Sequence, residues 1–267
     1  MKTNLYLYTL IILVFCCFNC NNSIKSKNIS NIKSIRLFSI LPFPSLDGKI
    51  INVMDSITVF YSGKTIMYEL PYYSSKDFIF KYKTDDTALI PQSTEIKHKY
   101  FIFQKDSFTG FLYPSSDATN YKLINVDSLN KKSILTNFNY FYASIKNKSI
   151  LTNEDYNSNG DYIEKFIPKL KPDVSYNDTT IYYYSNDSTL KDIPFSFAEE
   201  LDKTHKQKLY KIQLIYNTNP KGPDWYSQQG REIIIYFKVI SDIQNEAEIS
   251  KIFKKFESGI NNNNHQP

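Results

Sequence analysis

The chain has 267 residues, with 32 basic and 27 acidic side chains and a net charge of +5, and the two signs are mixed along its length. Balanced charge of this kind reads as a solvated surface and argues against a nucleic-acid partner. The three cysteines all lie at positions 16, 17 and 20, so the remainder has no disulfide framework, thiolate metal site, iron–sulfur cluster or cysteine nucleophile.

In chain order the first feature is Met1-Lys2, an apolar run from Leu5 to Phe18, then Cys20 and the polar stretch from Asn21 to Lys27. The run is shorter than the ~20 apolar residues a helix needs to cross a bilayer, so it fits a cleaved export signal. The segment resembles a bacterial lipoprotein signal. That resemblance implies a diacylglycerol on the Cys20 thiol and cleavage just before it, with Cys16 and Cys17 as rival acceptors. It also implies a membrane anchor facing out of the cytoplasm, in the bacterial cell envelope at the outer membrane. It extends no further than the signal and its tether. A body without cysteine agrees with an oxidising compartment.

The organisation expected is a signal at 1–19, a flexible tether at 20–33, a strand-rich body at 34–258 comprising one domain or two, and a disordered polar tail at 259–267. The body is long enough to bury a core without covalent staples.

Alternation of apolar and polar residues predicts strands at Ile35–Leu41, Lys49–Met54, Ile57–Tyr61, Thr65–Leu70 and around Phe78, Phe80 and Tyr82. Further runs are His98–Phe103, Gly110–Tyr113, Tyr121–Val126, Tyr140–Ile145, Tyr162–Ile167, Thr180–Tyr184, Tyr210–Tyr216 and Glu232–Ile240. Short spacings rich in Asn, Asp, Ser and Gly predict antiparallel meanders, and the fold class is mainly β to α+β.

Two helices interrupt the strands. Ser196 and Glu199 have capping-box spacing for a short helix over 196–203. An apolar stripe of Ile249, Ile252, Phe253 and Phe256 predicts an amphipathic C-terminal helix near 243–257, with Gly259 as its stop.

Asp155, Asn157, Asn159 and Gly160 match the start of a calcium loop, but the position that needs a bidentate carboxylate holds Phe166, so a turn between strands is the expected reading. His98 and His205 belong to no motif and are read as structural or surface residues. No nucleophile elbow, phosphate loop, dinucleotide fingerprint or zinc-protease motif is present in the sequence, and no cofactor or metal is expected.

The most distinctive stretch is the loop Pro220–Arg231, which carries the only Trp and one of two Arg. Trp225, Tyr226 and Arg231 are the candidate ligand-binding residues, since aromatic faces stack on sugars or peptides and Arg supplies a fork of donors; a Trp225 plugged into the core is the alternative.

The sequence thus leads to a membrane-anchored extracytoplasmic lipoprotein, a binding or assembly module of the cell envelope with a protein or glycan partner. The scan for chemistry leans away from an enzyme. Two alternatives remain: a carrier of an apolar ligand in a curved sheet, and an envelope hydrolase with paired carboxylates such as Asp224 and Glu232.

Overall fold

The structure, a computed structural model, describes residues 31–45, 49–75, 78–80, 89–91, 94–130, 148–169, 177–220 and 228–263. Among them the alternating segments form thirteen strands. In chain order these are β1 (Lys33–Pro44), β2 (Ile50–Ser62), β3 (Thr65–Ser75), β4 (Phe78–Phe80), β5 (Leu89–Pro91), β6 (Thr94–Gln104) and β7 (Thr109–Tyr113). They continue with β8 (Lys122–Asn125), β9 (Ser149–Tyr156), β10 (Tyr162–Pro168), β11 (Thr179–Ser185), β12 (Lys208–Tyr216) and β13 (Arg231–Ile240). The helices are α1 (Val126–Asn130), α2 (Glu199–His205) and α3 (Glu246–Asn263).

Eleven strands make one antiparallel sheet in the order β8-β7-β6-β3-β2-β1-β13-β12-β11-β10-β9, and β4 pairs with β5 separately. The fold is mainly β with few helices, as the alternation predicts. Two predicted runs, Lys49–Met54 and Ile57–Tyr61, are one continuous strand, β2. The Tyr121–Val126 run is divided: Val126 begins α1, where Asn125 accepts a hydrogen bond from the Ser128 amide at 2.9 Å. The predicted strand Tyr140–Ile145 lies outside the described residues.

Because the side-chain period of a strand is two, each strand serves both faces of the sheet. One face buries Ile35, Leu37, Val59 and Tyr184 beneath Ile193, Phe195 and Phe197 of the segment that leads into α2 and Leu201 of α2 itself. Phe195 and Phe197 both pack on Phe237 of β13, at ring separations of 6.0 and 5.6 Å. On the other face Phe60, Met67, Ile102 and Phe111 are cross-strand neighbours in one row. The α3 stripe of Ile249, Ile252, Phe253 and Phe256 is buried, with Phe256 edge-on to Phe111 at 5.0 Å. Among the described residues no helix is long and apolar enough to cross a membrane.

Both helix-end expectations need correction. The helix at 196–203 starts later, at Glu199 with Ala198 as N-cap and no side-chain cap. Ser196 Oγ instead donates to Asp202 Oδ2 at 2.7 Å, and Glu199 is drawn to Lys105 at 3.0 Å, so both capping-box partners are engaged elsewhere. Nor does Gly259 stop α3, which runs on to Asn263. A Cβ at Gly259 would stand 2.7 Å from Phe111 Cε2; the glycine lets the helix approach the sheet rather than ending it.

Candidate binding cleft

The sheet does not hold together along its whole length. β2 stays paired with β1 from Lys33↔Tyr61 to Pro44↔Ile50, and β3 stays paired with β6 from Thr65↔Gln104 to Ser75↔Thr94. The β2–β3 ladder, however, ends at Thr58↔Glu69. Pro71, two residues further along β3, has no N–H to donate; since pairing with β6 continues past it, the interrupted side is the one facing β2. The β1–β2 and β3–β6 hairpins therefore part.

A cleft of about 750 Å3 opens there. Its floor is a single cross-strand row, Arg36–Thr58–Glu69–Tyr100, set by the registers of β1, β2, β3 and β6. Met54 and Ile96 are rim residues, 58% and 57% exposed. The far wall is Ile240, at the end of β13, with Asp242 and Ile243 of the stretch that leads to α3.

Tyr100 Oη donates to Glu69 Oε1 at 3.4 Å. Burial, then the charge and hydrogen bond of Glu69, then the charge of Glu248, push the Tyr100 phenol up to about 12. Tyr100 is therefore a hydroxyl donor, and it holds the Glu69 carboxylate in place. Arg36 brings a planar fork of donors to the same floor. His98 lines the cleft as well. The combination of the Glu69 carboxylate, the Arg36 guanidinium and apolar rims can hold a chain that carries both polar and apolar groups.

The sequence-derived candidates are placed differently. Trp225, Tyr226 and Asp224 lie outside the described residues, as does Cys20. Arg231 sits at the start of β13 over the Tyr216 ring, 4.4 Å from its centroid, and donates to the Gln229 carbonyl at 3.3 Å. Glu232 accepts from Gln213 Nε2 at 2.9 Å and is not among the cleft residues.

The Asn157–Asp161 segment is a turn between β9 and β10. Asn157 Oδ1 accepts from the Asn159 and Asp161 amides, both at 2.9 Å, and Gly160 takes φ 79°. The side-chain oxygen that a calcium loop would use is thus committed to the turn, the reading the sequence favours.

His205 has a partner that sequence reasoning does not reveal. Its Nε2 stands 3.3 Å from Oε1 of the buried Glu164, whose Oε2 accepts from Tyr184 Oη at 2.6 Å. The available sequence signal is the inward alternation of Tyr162, Glu164 and Phe166, which places a carboxylate on the buried side of β10. A second depression beside α2 is ringed by lysines, but Lys105 and Lys203 pair with Glu199, and Lys208 pairs with Asp202.

No protein-family model matches the sequence, and no curated protein matches it.

Proposed function

We propose that this protein is a lipid-anchored binding or assembly module of the bacterial cell envelope, tethered at Cys20 and presenting the cleft between its two parted hairpins to a protein or glycan partner. The observation that carries the reading is the cleft itself, a large opening with an ordered polar floor and apolar rims. The polar floor of Arg36, Glu69 and Tyr100 weighs against the carrier of an apolar ligand. The signal segment supports the anchor, and β1, beginning at Lys33, leaves residues 21–32 between anchor and sheet.

Intact mass of the membrane-extracted protein tests the anchor. The expected mass is Cys20–Pro267 plus acyl chains, absent from Cys20→Ala; a mature chain without acyl groups would remove the anchor. A hydrolase reading draws on different carboxylates from those expected, Glu69 and Asp242 of the cleft. Turnover of cell-wall fragments that is lost in Glu69→Gln would establish it.

A further inference from the structure

We propose that the pocket between the end of β7, residues 119–121 and the last turns of α3 binds a compact carboxylic acid with an apolar body. Its volume is about 450 Å3, and its walls include Tyr113, Tyr121, Lys254, Lys255 and Ser258. That is room for an organic molecule rather than a bare ion. It shares no residue with the cleft, so this site is additional to the one on which the binding-module reading rests.

The observation that points to a ligand is Tyr113, the last residue of β7, which pairs with Tyr100. The residue is only 1% exposed, yet its hydroxyl makes no hydrogen bond among the described residues and is not one of the sealed polar atoms. The sliver of Tyr113 that reaches the surface therefore includes Oη, at the wall of the pocket. Burial and then the charge of Tyr121 push the phenol up to about 12, so it stays a donor at neutral pH. A buried tyrosine hydroxyl ordinarily has a partner; here the acceptor has to come from whatever occupies the pocket.

Charge names the acceptor. Lys254 makes no ion pair among the described residues, and Lys255 Nζ is held by the Ser116 and Ala118 carbonyls at 3.0 and 2.8 Å. Those neutral oxygens fix the ammonium without cancelling its charge and leave one of its three donors. No acid lines the pocket; Asp117 of the same loop accepts from Ser115 Oγ at 2.6 Å instead. Two ammonium groups and a phenol donor converge on an oxyanion.

The rest of the wall is carbon. Tyr121 stacks on Phe111 at 4.0 Å and meets Tyr113 edge to face at 5.7 Å, so the rings hold one another in place. The methylene stems of the two lysines extend that surface, which suits an apolar body behind the carboxylate.

The test is ligand-observed NMR titration of the full-length protein in detergent micelles with 3-phenylpropanoate, its neutral amide and glucuronate. The expected result is saturable binding of 3-phenylpropanoate and at least about tenfold weaker binding of the amide and of glucuronate. Tyr113→Phe and Lys254→Met should each weaken the acid several-fold with no fall in Tm, because neither group has a partner within the protein. Lys255→Met, by contrast, should lower Tm, since it releases the loop at 116–118.

Equal binding of acid and amide would overturn the proposal, as would glucuronate binding as tightly, or the absence of saturable binding. Wild-type affinity in both Tyr113→Phe and Lys254→Met would overturn it too, placing the acid in the micelle or elsewhere on the protein. Should Tyr113→Phe lower Tm, its hydroxyl has a structural role and the site is refuted. The anchored-module reading stands or falls separately, on the mass measurement at Cys20.

Discussion

The Lys208 ammonium and the Asp202 carboxylate meet at 2.9 Å with side chains only 8% and 15% exposed, at the junction of α2 and β12. Asp202 also accepts from Ser196 Oγ at 2.7 Å and from the Leu209 amide at 2.8 Å, so one carboxylate ties the segment before α2 to the strand after it. Removing one partner leaves the other charge buried and uncompensated. Asp202→Ala should lower stability by about 3–5 kcal/mol in urea unfolding. The double replacement Asp202→Leu/Lys208→Met, which removes both charges, should cost much less than the single one; equal losses would contradict this account.

Ser39 presents the opposite case. Its hydroxyl is fully buried in β1 and, among the described residues, is the one buried side-chain polar atom with no hydrogen-bond partner. Ser39→Ala removes the desolvated group with little change of shape. It should raise stability by about 1 kcal/mol, read as a higher Tm.

Gly259→Ala separates helix propensity from packing. In an exposed helix the change would stabilise by about 1 kcal/mol, but here the new methyl would meet Phe111 at 2.7 Å. The variant should melt at a lower temperature than wild type. Phe111→Leu in the same chain should recover part of the loss, because it removes the ring edge that the added methyl would strike; no recovery would indicate a different cause.

Alkaline pH probes the buried phenols. Tyr100 and Tyr113 are each pushed up to about 12 from 10.0, first by burial and then by the charge of Glu69 and of Tyr121 respectively. Tyr210 reaches about 12 through burial and then Asp161. Above about pH 10 the unfolded chain releases protons from these residues that the folded chain retains. Their stabilising contribution is therefore whole below that pH and is lost as the pH rises toward about 12. Urea midpoints should fall across this window, and phenolate absorbance should appear in step with unfolding for part of the tyrosine population. A smooth titration of every tyrosine below the unfolding transition would refute the assignment.

Sequence periodicity captures the sheet because burial imposes it: Ile35 and Leu37, or Ile212 and Leu214, alternate with polar neighbours and are buried. The edge strand β9 escapes that logic. Nearly all of Ser149–Tyr156 is exposed on both faces, so Thr152-Asn153-Glu154-Asp155 carries no alternation to read. The cleft is hidden for another reason. Arg36 and Glu69 share a floor only through two strand registers, and register follows from which strands pair rather than from local spacing. Pro71 is visible in the sequence, but its effect depends on knowing that β2 lies beside it. Likewise Ser196 and Glu199 have the right spacing for a cap, and the stronger claims of Asp202 and Lys105 on them are tertiary.

The pairing of β1 with β13 sets a timetable for the chain. β1 is the first strand among the described residues, yet it occupies the middle of the sheet, and its Ser34–Ile40 ladder needs residues 234–240. β1 to β8 can assemble among themselves, and β9 to β13 likewise, but the seam between the two groups joins opposite ends of the polypeptide. A chain emerging N-terminus first would hold β1 with one side unzipped until residues 234–240 appeared. Closure of such distant pairs is slow, which makes β13 with α3 the clasp that completes the sheet.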